Sequence, residues 1–215
     1  MSTTTHQEAE SSTRRASTRS ARASIRRDKP LSPDGMFTVE DWAALPNLKP
    51  RYELIGGKLV QKTTATFKHA FTKGELLFSL TRWGDDRGWI FLPEGVGIKL
   101  GNNDGAVADI TGFQPGIELQ PDATYFSQVP FLIVEVVSRS TAKRDRTDKK
   151  IGYASIGVQI YLIADPDKKT LEVHTLKNGK YGSPQILKDN DVWQPAEVSE
   201  MRLEVTRLWL ESTKV

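Results

Sequence analysis

The strongest pattern in the chain is a run that is apolar on both faces. Phe131-Leu132-Ile133-Val134-Glu135-Val136-Val137 interrupts seven positions of strand-forming residues with a single carboxylate. Alternation puts Glu135 on one face with Ile133 and Val137, and Leu132, Val134 and Val136 on the other. A strand apolar on both sides must be covered on both sides, so this one belongs in the middle of a sheet between other layers. Val158–Ala164 reads the same way. Between the two lies a polar helix of about 143–155, with Gly157 past its end.

Upstream, Ala70, Leu77 and Leu80 with Phe71, Leu76 and Trp83 recur at spacings of three and four, which predicts a helix over about 67–83 despite Gly74. Short strands are expected at Trp89–Leu92, Val96–Leu100 and Ala106–Phe113, the last two joined by the turn Gly101-Asn102-Asn103-Asp104-Gly105. Residues 115–130 read as a loop, and a strand at Leu171–Leu176 follows the turn Asp165-Pro166-Asp167. Near the start, Thr38 with Asp41 makes a capping box, Phe37 and Trp42 stand where a hydrophobic staple closes, and the helix runs to about Leu45. Tyr52–Ile55 and Lys58–Val60 flank Gly56-Gly57, the two-residue turn of a tight hairpin. No repeat of solenoid period is present. This order predicts an α/β chain of the α+β-like kind, a central mixed sheet with helices packed on it.

Composition changes the picture at one end only. Of the net charge of +3, residues 1–30 contribute +4 (Arg14, Arg15, Arg19, Arg22, Arg26, Arg27 and Lys29 against Glu8, Glu10 and Asp28), leaving −1 for the rest. The pI near 9.0 therefore belongs to the tail, which excludes a globally basic, histone-like protein. Poor in large aliphatics, residues 1–34 are expected to be a disordered tail, and 35–215 one folded domain. The arginines suit a salt-dependent arm on nucleic-acid phosphates; a passive solvated tail is the alternative. A transit peptide is opposed by Glu8 and Glu10, and both secretory and twin-arginine signals by the want of an apolar core segment. The 215 residues hold no cysteine, hence no disulfide-linked partner, no thiolate metal site and no cysteine nucleophile. No apolar run is long enough to span a membrane, and a cytoplasmic location is expected.

Candidate chemistry lies in acids that do not belong in a core. A carboxylate in the middle of an apolar strand costs several kcal/mol unless paired, so Glu135 is ion-paired with a Lys or Arg, sits at a strand end that reaches solvent, or is a metal ligand. Asp109, inside Val107-Ala108-Asp109-Ile110, is a second such acid. Two acids on neighbouring strands repel and call for a shared cation, and oxygen ligands suit Mg²⁺ or Mn²⁺. Asp145 and Lys149 stand at i and i+4 with Tyr153 on the same helix face, either as a functional ammonium or as a solvated face. Glu53 in the first hairpin is a further candidate. His69, opening the long helix, can contact a phosphate, orient a carboxylate or cap.

Taken in order, these segments resemble the putative restriction endonuclease family of the Uma-two type, in the PD-(D/E)xK nuclease superfamily. The likeness spans roughly residues 36–181 and rests on FTVEDWAALP…RYELIGGKLV, KHAFTKGELLFSL, VPFLIVEVVSRST and RDRTDKKIGYASIGVQIYLIADP. It implies a restriction-endonuclease-like core with Glu53, Asp109, Glu135 and Lys149 as catalytic residues. Asp109, Glu135 and Glu53 would be the metal ligands, with His69 and Tyr153 in support. The superfamily's lysine two positions after the glutamate would fall on Val137; in this family the following helix supplies it. The family's proline before the aspartate is Ala108 here, and a literal Pro-Asp occurs at Pro121-Asp122, which makes Asp122 the fallback for Asp109. Gln159-Ile160 stands where the family tends to carry a glutamate before the tyrosine. Glu172 and His174 are expected to be ordinary exposed residues.

What the resemblance implies is Mg²⁺- or Mn²⁺-dependent hydrolysis of DNA phosphodiesters, with Lys149 positioning or helping to deprotonate the attacking water. Dimers are common in the superfamily because two strands must be cut. Two alternatives stand beside this reading: an inactive nuclease-fold protein that binds DNA or regulates, and a structure-selective nuclease acting on branched or single-stranded DNA or on RNA.

Overall fold

The structure is a computed structural model that describes residues 36–45, 52–62, 65–198 and 200–211. The expected basic tail, with its six arginines, lies outside the described residues. Helix α1 (Val39–Ala43) opens as the sequence requires: the Thr38 hydroxyl accepts from the Asp41 amide and the Asp41 carboxylate accepts from the Thr38 amide. Phe37 and Trp42 pack in one small cluster, closing the staple. Strands β1 (Tyr52–Ile55) and β2 (Lys58–Gln61) pair antiparallel about Gly56 and Gly57, whose φ values of +50° and +72° fit the left-handed tight turn that only glycine enters without strain. Helix α2 spans Phe67–Gly84 behind its cap Thr66.

Two sheets follow. Strands β3 (Ile90–Pro93), β6 (Ile110–Phe113), β8 (Leu132–Val136), β9 (Ile160–Asp165), β10 (Thr170–Lys177) and β11 (Lys180–Tyr181) lie side by side in the order β11-β10-β9-β8-β6-β3, with β12 (Gln185–Lys188) also on β10. Strand β8 runs parallel to β9 and antiparallel to β6, so the sheet is mixed. The smaller sheet is β2-β1-β5-β4-β7, with β4 at Gly97–Gly101, β5 at Asp104–Ala106 and β7 at Tyr125–Phe126. A last pair, β13 (Val192–Trp193) with β14 (Leu203–Glu204), closes the described chain.

Strand β8 has the two-faced character its sequence demands. Leu132, Val134 and Val136 pack with Leu76 and Leu80 of α2 and with Leu208. Ile133 and Val137 pack on the opposite side with Ile98, Ala106 and Tyr153. Burying a side chain of this kind on each face stabilises the fold by about 1.5–3 kcal/mol per residue. No helix among the described residues is long and apolar enough to cross a membrane.

Three expectations need correction. Residues 106–113 are not one strand: β5 ends at Ala106 in the small sheet and β6 starts at Ile110 in the large one. The chain can cross because side chains replace the ladder there, the Val107 amide donating to Glu53 Oε1 and the Val107 carbonyl accepting from Lys62 Nζ. The helix of 143–155 is two helices, α3 (Ala142–Arg146) and α4 (Asp148–Ser155), broken at Thr147 (φ −120°, ψ −87°), whose hydroxyl bonds the Lys143 carbonyl in competition with the helix ladder. The loop of 115–130 contains β7, which pairs parallel with β4.

Candidate active site

Asp109 stands at the end of the crossing, one step beyond the register Ile110↔Val134, which brings it opposite Glu135 across the β6–β8 pair. Its Oδ2 accepts from the Val136 amide at 2.9 Å. Both acids are 3 % exposed and line one cavity of about 430 Å³ together with Lys62, His69, Arg144, Asp145 and Lys149. The large sheet thus sets two carboxylates side by side where neither pattern nor chain distance required it.

Helix α4 supplies the ammonium. Lys149 Nζ lies 2.8 Å from Glu135 Oε1, 2.9 Å from Glu53 Oε1 and 3.4 Å from Asp145 Oδ1. The Tyr153 hydroxyl, one turn on, donates to the same Glu135 oxygen at 2.7 Å. Glu53 reaches in from β1, and its other oxygen pairs with Arg144 of α3. Two further ammonium groups and an imidazole face Asp109: Lys62 Nζ at 3.6 Å, Lys73 Nζ at 3.8 Å and His69 Nε2 at 3.5 Å. Glu94 at the end of this row is 3.1 Å from Lys73 and 3.7 Å from Lys62.

Burial and these partners set the charges. Burial is the largest influence on Glu135 and, with repulsion from Asp145 and Asp109, raises its pKa to about 8 against the pull of Lys149 and Lys62. Burial also works against ionised Asp109, yet the His69 hydrogen bond, Lys62 and the Val136 amide hold its carboxyl well below the usual range. Glu53 is likewise lowered, Lys149, Lys62 and Arg144 outweighing its burial. Lys149 is raised because Glu135, Glu53 and Asp145 together outweigh the desolvation that would neutralise it. The ammonium therefore stays charged and cannot take a proton from water.

The structure gathers Glu53, Asp109, Glu135, Lys149, His69 and Tyr153 around one centre. Asp122 is exposed and does not line the cavity. Arg144, Lys62, Lys73 and Glu94 joined the site without any local signal; Lys73 alone could have been suspected, one helical turn from His69. The expectation for Glu172 and His174 fails. His174 is buried, its ring stacked 5.8 Å from Tyr161, and Glu172 is largely covered and accepts from Arg146 Nε at 2.7 Å. Their alternation along β10 looks like a solvated face, but Arg146, also bonded to Asp165, reaches over Glu172, and the rings of Tyr161 and Tyr181 cover His174.

Could a divalent ion sit here? Among the described residues no three acidic or histidine side chains are gathered as a metal-holding set. Mg²⁺ does not need such a cage, since it commonly takes one or two carboxylates and keeps several waters. Asp109 and Glu135 on one cavity wall match that donor chemistry.

A mixed sheet flanked by helices, with paired acids at a strand junction and a lysine delivered from the next helix, is the restriction-endonuclease-like fold. The family model described as Uma2, putative restriction endonuclease, matches residues 39–206, and the chain belongs to that family. Among solved structures, it is similar to a putative nuclease belonging to DUF820 from Anabaena variabilis ATCC 29413, with 22 % identity and a TM-score of 0.68 over 80 % of this chain and 97 % of that one. No curated protein matches.

Proposed function

We propose that this chain is a metal-dependent endonuclease that hydrolyses phosphodiester bonds of DNA, with Mg²⁺ or Mn²⁺ as its cofactor. The observation that carries this reading is the meeting of Asp109 and Glu135 in one cavity, with the Lys149 ammonium hydrogen-bonded to Glu135.

Asp109 and Glu135 would hold the ion, with Glu53 reaching it through water. Bound there, the ion would neutralise charge on a non-bridging phosphate oxygen and ease ionisation of water. Lys149 fixes the rotamers of Glu135 and Glu53 at once, so that both acids are held ready for the ion. Tyr153 holds the same Glu135 oxygen as Lys149, and Arg144 anchors Glu53. His69 supports Asp109.

The test is nicking of supercoiled plasmid in Mg²⁺ or Mn²⁺, with branched DNA, single-stranded DNA and RNA as parallel substrates. The reading expects cleavage of duplex DNA by wild type and none by Glu135→Ala. Identical traces from the two proteins on every substrate would replace it with a nuclease-fold binding or regulatory protein. Cleavage confined to branched DNA, single strands or RNA would replace only the substrate.

A further inference from the structure

The two cationic groups of the site differ in what their N–H donors already do. A lysine ammonium has three donors and no acceptor. On Lys149 each side of the ammonium meets a carboxylate: Glu135 at 2.8 Å, Glu53 at 2.9 Å and Asp145 at 3.4 Å. Glu135 and Glu53 stand within hydrogen-bond reach and the Asp145 oxygen is left unbonded, so a phosphate oxygen approaching the ammonium would face three acids at once. Lys62 is placed differently. One donor goes to the Val107 carbonyl at 2.8 Å, while Asp109 and Glu94 stand at 3.6 and 3.7 Å, beyond hydrogen-bond reach. Among the described residues Lys73 bonds Glu94 at 3.1 Å, with Asp109 at 3.8 Å.

Lys62 lines the cavity beside Ala65 and His69, where α2 begins. The first turn of α2 contains no acidic residue, so the partial positive charge of the helix start adds to the lysines rather than being cancelled. The Lys62 ammonium, just past β2, thus faces the same space as the start of α2 and the His69 imidazole, with Lys73 reaching Glu94 at its edge.

We propose that Lys62, with Lys73 beside it, forms the subsite that receives the substrate phosphate, and that Lys149 is a positioning residue that does not touch it. This rests on the nuclease reading and names the residues that bind its substrate. An ion taking Asp109 would draw that carboxylate away from Lys62, whose nearest acid it is at 3.6 Å, and leave the ammonium to the phosphate. Binding of ion and phosphate would therefore reinforce each other.

The salt dependence of binding separates the two lysine roles, because each phosphate contact contributes about 0.9 to the slope of log K against log salt. The measurement is anisotropy of a labelled phosphorothioate duplex that resists cleavage, in Mg²⁺, across a salt series. Folding of each variant is checked by circular dichroism. Lys62→Met and Lys73→Met are each expected to weaken binding and lower the slope by about 0.9. Lys62→Arg keeps a cation and should retain the slope. Lys149→Met should change the slope little, and if it does not fold, the comparison of Lys62→Met with Lys62→Arg decides. Wild-type slope and affinity in both Lys62→Met and Lys73→Met would overturn the subsite while leaving the nuclease reading intact. A wild-type protein that binds no duplex, branched or single-stranded probe would overturn both.

Discussion

The Lys149 ammonium of α4 is held 2.8 Å from Glu135 of β8, and both are almost wholly buried. A buried ammonium so placed costs desolvation and survives because further partners share the load: Glu53 and Asp145 on the lysine, the Tyr153 hydroxyl on the glutamate. The pair ties helix to sheet, and it makes the site sensitive to the loss of any one member.

Removing the cation is the most damaging change. Lys149→Met leaves Glu53, Asp145 and Glu135 buried without their shared ammonium and is expected to destabilise the fold by about 3–5 kcal/mol. Thermal melts at neutral pH check this, and they should show partial recovery when Glu53→Gln is added, since one repelling charge is then gone.

The pH dependence follows from the opposite directions of the acids. Glu135 titrates near 8 in the fold, above its ordinary 4.5, so between those values the folded chain binds a proton that the unfolded chain has lost. Its stabilisation is complete below about 4.5 and drains away as pH rises to about 8, with a slope approaching one proton. Asp109 and Glu53 are lowered and act in the other sense, losing stability as pH falls below their ordinary values of 3.8 and 4.5. Denaturant melts of Glu135→Gln should lack the decline between 4.5 and 8 and keep the acid-side loss. Because a metal must displace that proton, cleavage should rise with pH up to about 8.

Asp109 and Asp122 are separated by a direct comparison. Asp109→Asn is expected to abolish cleavage and the heat of Mn²⁺ binding in calorimetry. Asp122→Asn, exposed and away from the cavity, should behave as wild type. The reverse result would hand the ligand role to the loop.

The small sheet positions Glu53 through a tight contact. A Cβ on Gly105 would fall 2.5 Å from the Trp42 ring, and Trp42 Nε1 donates to the Tyr52 carbonyl at 2.9 Å, beside Glu53. Gly105→Ala should therefore cost about 1–3 kcal/mol in denaturant melts and lower activity by shifting β1. Gly74→Ala, on an exposed turn of α2 with open space at its Cβ, should stabilise by about 0.5–1 kcal/mol.

Sequence alone determined the local structure and the oddness of particular residues. Glu135 was legible because strand alternation is strict: a carboxylate between Ile133 and Val137 has no apolar excuse, and β8 does carry separate cores on its two faces. The glycine hairpin, the Thr38 cap and the long helix were legible for the same reason, being set by near neighbours. Tertiary structure alone decided the company these residues keep. Lys62, Glu94 and Arg144 meet the acids because two sheets and three helices converge there, and His174 is buried against the rings of Tyr161 and Tyr181. Such contacts depend on layers folding back across long stretches of chain, and charge at a distance leaves no periodic mark in the residues that feel it.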